Sequence, residues 1–459
     1  MKYCLSIFLS IFLVLAFFDA CPADDTITEK KLIASDGEAM DKFGQAVAVS
    51  GSFAIVGAHG DDDSGASSGA VYIFHHNGTS WTQTQKLTPN DGESLDKFGQ
   101  AVGISGSYAI VGAGGDNDKG ESAGSAYIFY YNGTSWAQVQ KLTASDGTGW
   151  AMFGQAVGIS GSFAVVGAYG DDDRGESSGS AYVFQHNGTS WTQTQKLTAN
   201  DGAGWQKFGQ SVAISDNFIF AGSGGDTING GSAGAVYVFF NSGSSWGQVQ
   251  KLAASDGAGW DKFGQSLSVS GNSAMVGAYG DDDQGASSGS AYMFYYNGSL
   301  WQEEQKLIAN DGAAADYFGQ AVAVAGDYAI VGAYGDDDLG ISSGSAYIFH
   351  YDGNSWVQLR KLTASQAAPS DYFGQSVAIG DNFAVAGAYG FDDAGESSGS
   401  ATIYGDFMTN DPPVVPDPDL DGDGDVDGLD LTAYKQQLNS GVTNMSVAEF
   451  AAAFGSSVF

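Results

Sequence analysis

The chain predicts an all-β fold, a closed seven-bladed β-propeller of four-stranded antiparallel blades, followed by a short, separate C-terminal module. Three observations carry this. Phe-Gly begins at Phe43, Phe98, Phe153, Phe208, Phe263, Phe318 and Phe373, each 55 residues after the last. Such a drift-free period marks one supersecondary unit that needs its neighbours to bury its apolar faces. Each unit holds four strand-like runs, and seven four-strand units point to a closed ring rather than an open solenoid. The last unit lacks its outer strand, and a matching segment precedes the first unit.

The first repeat sets out the strands. GQAVAVSG (44–51) and FAIVGA (53–58) are nearly continuous apolar runs around a Ser-Gly-Ser turn, as expected of strands buried on both faces. AVYIFHHNG (70–78) is aromatic and ends in an Asn-Gly hairpin signal, and WTQTQKL (81–87) alternates like a half-exposed outer strand. Trp81, Trp136, Trp191, Trp246, Trp301 and Trp356 mark that outer strand in six repeats. The seventh has no counterpart, whereas Lys31-Leu32 of TITEKKL (26–32) stands one period before Lys86-Leu87. The N-terminal strand is therefore expected to complete the last blade and hide its open edge.

With 459 residues, 53 acidic and 17 basic, the formal charge is −36. That excess excludes nucleic acid and anionic membrane surfaces as natural partners. It favours cations or basic partners, and it also keeps an extracellular protein soluble. Residues 1–23 read as an export signal: Lys2, an apolar run from 5 to 18 too short for a comfortable span, and cleavage after Ala23. A second reading takes Cys21 as a lipidated N-terminal cysteine, although Phe18 and Asp19 fit a lipobox poorly. The mature chain is expected to be secreted or at the cell surface, without a transmembrane segment. Cys4 and Cys21 are the only cysteines, so no disulfide framework supports it.

Phe-Gly, a short strand and then Val56-Gly57-Ala58, with their copies, resemble the FG-GAP repeat of integrin α-chain propellers, and the bacterial variety more closely. The resemblance covers about residues 26–407 within an expected propeller domain of 24–408. It implies a seven-bladed ring that serves extracellular interaction, with some relatives attached to enzymes. Integrin-type repeats often place a calcium loop between the first two strands. Only a tight turn fits there in this chain, so that route to calcium is not carried over.

Chain direction puts the loop between strands two and three on the same face as the connection to the next blade. Both are long and acidic. Asp61, Asp62 and Asp63 recur as Asp171, Asp172 and Asp173, as Asp281, Asp282 and Asp283, and as Asp336, Asp337 and Asp338. Calcium between adjacent loops is one reading, with Asp61, Asp63, Asp171, Asp173, Asp281, Asp283, Asp336 and Asp338 as weak ligands. The other is that these aspartates build turns on their own backbone. Trp150, Trp205 and Trp260 occupy one phase of the inter-blade connection in three successive repeats, a candidate platform for sugar rings or a partner's cation. Packing between blades is the alternative. Gln45, Gln100, Gln155, Gln210, Gln265, Gln320 and Gln375 follow each Phe-Gly and either line the channel or tie blade to blade. Asn77, Asn132, Asn187 and Asn297 fit a glycosylation pattern, but a hairpin turn already requires Asn-Gly there.

Residues 409–418 form a proline-rich linker before a 419–459 module. In it Asp419, Asp421, Asp423, Asp425 and Asp430 stand at positions one, three, five, seven and twelve of a calcium loop, with Gly424 at six. With Asp at twelve the loop resembles a dockerin more than a calmodulin-like EF-hand. Dockerins carry two loops and dock onto cohesin domains. This chain has one loop, which leaves a cohesin-like partner in question but not calcium-dependent folding. The expected function is a non-catalytic, calcium-binding interaction, adhesion or scaffold protein with an extracellular protein or polysaccharide partner. The alternative is a polysaccharide-active enzyme or cellulosome-type component. Carboxylate pairs suited to glycoside cleavage are abundant, but they recur in every blade, whereas a catalytic pair should break the symmetry.

Overall fold

Six of the 55-residue units each fold into one antiparallel four-stranded sheet, and a seventh sheet, built from both ends of the propeller, completes the ring. The computed structural model describes residues 27–405 apart from 216 and 381. The export signal with Cys21, the linker and the Asp419–Asp430 loop with its expected helix lie outside the described residues. Glu29–Gly405 forms one compact unit. Among the described residues no helix is long and apolar enough to cross a membrane.

Blade one consists of Phe43–Ser50, Phe53–Ala58, Ala70–His76 and Trp81–Leu87, from the axis outward. The outer pair shifts register between Ile73 and Phe74, and the corresponding shift recurs in blades two to six. These bulges add twist to each blade. The second and third strands are buried almost throughout, as their continuous apolar runs demand. The innermost strand differs from expectation. Ala101–Ser105 of blade two is half-buried along its whole length because one side faces the central channel.

Ring closure follows the pattern read from the sequence. Thr28–Leu32 is the outer strand of blade seven, hydrogen-bonded beside Ser400–Gly405. Trp81 then packs edge-on against Phe383 of blade seven, with ring centres 4.9 Å apart. The core lies between blades rather than at the axis. At this junction Val385, Ala401 and Ile403 of blade seven pack with Phe43, Tyr72 and Phe74 of blade one. Each large apolar side chain buried in this way contributes roughly 1.5–3 kcal/mol.

Two glycines explain the repeated signature. Gly44 of Phe-Gly has φ +92°, a conformation that side chains rarely adopt. A Cβ on Gly57 would collide with the carbonyl oxygen of Gly99 in the next blade, so the glycine sets how closely blades approach. Blades are also stitched by side chains. The Gln85 amide donates to the Trp136 carbonyl at 2.7 Å, and its oxygen accepts the Trp136 N–H at 2.9 Å. Gln140, Gln195, Gln250 and Gln305 repeat the clamp.

Candidate functional site

The loop-rich face is built by pairing each inter-blade connection with the two-to-three loop of the preceding blade. Leu95, Lys97 and Phe98 donate their N–H groups to Ala66, Ser67 and Ser68. Met40, Lys42 and Phe43 do the same with Glu396, Ser397 and Ser398 across the closure. These pairings hold the connection residues at positive φ, among them Trp150 (67°), Trp205 (66°) and Trp260 (78°).

The aspartates of this face converge on a lysine. Lys86 Nζ lies 2.9 Å from Asp36, 2.7 Å from Asp61 and 2.7 Å from Asp63. Tyr72 donates its hydroxyl to Asp61 at 2.9 Å. Burial alone would lower the Lys86 pKa, but hydrogen bonds to the three carboxylates outweigh it and hold the ammonium well above its usual range. Partial burial likewise opposes ionisation of Asp36, and Lys86 reverses that and lowers its pKa. Lys141, Lys196, Lys306 and Lys361 repeat the cage with three carboxylates each. Blade four has Ile228 in place of the third acid, and Lys251 meets only Asp201 and Asp226. In blade seven Lys31 pairs with Asp393, and its Nζ sits 3.2 Å over the Phe391 ring.

The same aspartates also shape turns. Asp61 Oδ1 accepts the Asp63 N–H at 3.3 Å, and Asp172 Oδ1 accepts the Ser177 N–H at 2.7 Å. The sets Asp256, Asp281, Asp283 and Asp311, Asp336, Asp338 bring carboxylate oxygens within 4.8 Å of one another, as a metal site requires. Their meeting points are held by Lys306 and Lys361 Nζ, so a cation there would have to displace an ammonium. In the sequence these lysines stand out only as phase markers of the outer strand. One lysine per repeat at a fixed phase, opposite a recurring acid, was the available signal.

A second ring of carboxyls caps the connections. Asp41, Asp96 and Asp316 are buried and accept the N–H groups of Glu38, Glu93 and Ala313. Burial pushes each pKa up to about 6, against the pull of that hydrogen bond. Gln206 fills the same role in blade four by accepting the Ala203 N–H.

Trp150, Trp205 and Trp260 are 57%, 60% and 68% exposed. They are not packed away between blades. Trp205 borders a cavity of about 500 Å³ at the channel mouth with Lys207, Lys262, Tyr169, Gln210 and Gln265, and no carboxylate lines it. Trp150 borders an adjoining cavity of about 360 Å³ with Lys97 and Glu121, and the two cavities share Tyr169 and Gln155. The Lys262 ammonium lies 5.0 Å from the Trp260 ring centre. Burial, then the nearby Lys207 charge, lowers the Lys262 pKa. His59, in the Lys42–Lys97 arc, is lowered to about 4 by burial and then by those two lysines.

The charge around the indoles therefore departs from a purely acidic expectation. Lys97, Lys207 and Lys262, each directly before Phe-Gly, border the indole cavities, while Lys42 holds the same phase on the opposite arc. Of the Phe-Gly glutamines, Gln155, Gln210 and Gln265 line this mouth, and they also link blades in places, Gln210 donating to Gln265 at 2.8 Å. At the glycosylation-type triplets, Asn77 Oδ1 accepts the N–H groups of Thr79 and Ser80, the turn role expected of it.

A ring of seven four-stranded sheets, closed by its own N-terminal strand, defines a repeat β-propeller. The chain belongs to the FG-GAP repeat family, which matches it over residues 27–74, 81–129, 136–184, 191–239, 246–294, 301–349 and 356–404. No curated protein matches it.

Proposed function

We propose that this protein is an exported, non-catalytic interaction or scaffold protein whose loop-rich face binds an extracellular protein or polysaccharide through the Trp150–Trp205–Trp260 arc. The observation that carries this reading is the exposure of three indoles on successive blades, each on a connection fixed at positive φ. Exposed aromatics with a polar edge are the residues that most often anchor partners. The Asp36, Asp61 and Asp63 set and its copies, where carboxylates come closest together, are bonded to lysines, which supports a binder. Calcium belongs in this proposal to the Asp419, Asp421, Asp423, Asp425 and Asp430 loop, read from its ligand spacing. A cohesin-like partner for that module, and lipid attachment through Cys21, are lesser versions of the same exported scaffold.

The test is binding of the full-length protein, beside Trp205→Ala, to panels of extracellular polysaccharides and surface proteins, with the same panels assayed for cleavage. Ala315 stands at this phase with φ 69°, so the substitution suits the backbone. A loss of about tenfold or more in affinity, without product formation, is expected. Equal binding by both proteins, or turnover of a polysaccharide, overturns the reading.

A further inference from the structure

We infer that the cavity beside Trp205 takes a uronic-acid ring of an acidic polysaccharide, its carboxylate met by Lys207 and Lys262 and its ring face by the indole. This rests on the reading of the tryptophan arc as a binding surface and names the class of ligand it takes.

Charge accounting comes first. In this strongly acidic chain each outer-strand lysine of blades one to six is bonded to two or three carboxylates. Lys207 and Lys262, by contrast, form no ion pair among the described residues, although they stand on adjacent blades in one cavity. Their recorded neighbours are rings: Lys207 lies 5.8 Å from the Tyr169 centre, and Lys262 lies over Trp260. Two like charges kept close with no internal counter-charge favour an anion between them. Lysines meet a carboxylate, like a phosphate, with strong, charge-assisted hydrogen bonds.

Shape and polarity narrow the class. A volume of about 500 Å³ is the size of a small-ligand site. One wall is a flat indole. Gln210 and Gln265 supply amide donors and acceptors suited to hydroxyl groups. The adjoining Trp150 cavity repeats the combination of indole, lysine and glutamine with Lys97 and Gln100, and differs in carrying one carboxylate, Glu121. Platforms repeated at the blade spacing suit a ligand that itself repeats a flat, hydroxylated, singly charged unit. An acidic peptide brings carboxylates without such a ring. Dense polyanions such as nucleic acids are repelled by the net charge of −36.

The experiment uses the full-length protein and calorimetric titration with oligogalacturonate, its carboxyl-reduced neutral counterpart, and poly-glutamate. Variants are Lys207→Met with Lys262→Met, Lys42→Met as a control on the opposite arc, and Trp205→Ala. Met152 occupies the same phase with φ 56°, so methionine fits the backbone there. Expected are binding of the oligouronate, a loss of about tenfold or more in the double lysine variant, and unchanged affinity in Lys42→Met. The carboxyl-reduced sugar should bind the parent and the double variant equally weakly. If the neutral sugar binds the parent as well as the acidic one, with Trp205→Ala weakening both, the charge assignment fails and the platform reading stands. If Trp205→Ala changes nothing, both fall. Competition by poly-glutamate at equal charge overturns the sugar class. Melting temperatures matching the parent show that each variant is folded.

Discussion

Replacing Lys306 by methionine tests whether the acidic face is neutralised from within. The substitution strands three carboxylates. Asp281 is buried at 6% side-chain exposure, while Asp256 and Asp283 are 46% and 63% exposed. Removing one partner of a buried ion pair costs about 3–5 kcal/mol, and exposed pairs are worth about 0–1 kcal/mol. Only the Asp281 arm counts in full, so a loss of about 3 kcal/mol is expected in denaturant unfolding. Lys251→Met in blade four also strands one buried acid, Asp226, but lacks the third carboxylate, and should cost slightly less. The vacated Lys306 cage then presents oxygens within 4.8 Å of one another. Millimolar calcium should restore part of the lost stability, about 2.7 kcal/mol at a hundredfold excess over Kd. The readout is the difference between variant and parent at each calcium concentration, which cancels any contribution from the Asp419–Asp430 loop. A destabilisation below about 1 kcal/mol would refute the cage as the device that holds these acids together. Calcium stabilising the parent propeller as strongly as the variant would do so too.

Two further outcomes follow from the geometry. Asp316 carries a raised pKa, about 6 against an ordinary 3.8, because it is buried. Above pH 6 its charge therefore disfavours the folded state, a penalty that vanishes as pH falls and the folded form takes up its proton first. Asp316→Asn keeps the acceptor for Ala313, as Gln206 does for Ala203, and should raise stability at pH 7–8 by about 1 kcal/mol after solvent screening. Thermal melts from pH 4 to 8 should show that advantage disappearing towards pH 4, and a variant gaining at low pH instead would falsify the assignment. Gln195→Ala leaves the N–H and carbonyl of Trp246 without their clamp and should cost about 1–3 kcal/mol in urea unfolding with m unchanged. No change would show that the clamp is ornamental.

What could be read from the sequence was what repeats in kind. The 55-residue period, the four apolar runs and the orphaned Lys31-Leu32 determine blade number, strand order and closure, because each is a demand the fold makes of every copy. Trp150, Trp205 and Trp260 stood out since they depart from their copies. The lysine cages stayed hidden because comparing acids with acids never placed Lys86 beside Asp36, Asp61 and Asp63, which lie 23 to 50 residues away in sequence. Tying blade to blade is one of two roles open to the Gln45 series in the sequence, and most of that work falls to the Gln85 series, since an outer-strand side chain can reach the next blade's backbone edge. The cationic mouth was missed for a simpler reason. Net charge averages over the surface, and four lysines at one phase vanish inside a total of −36.

The strand Thr28–Leu32 also dictates the order in which this molecule can be finished. Six sheets are each made from a contiguous stretch of chain and can assemble as soon as that stretch exists. The seventh joins the last repeat to a segment made before all the others. Until the last repeat arrives, the earliest strand is an unpaired edge and Trp81 lacks the ring of Phe383. Joining the two ends of the propeller closes the longest loop of any contact in it and so carries the largest loop entropy. Once made, it works as a latch. A protease that trimmed residues 28–32 would bare the Ser400–Gly405 edge of blade seven and leave the ring closed only by the contacts of its inner strands with blade one.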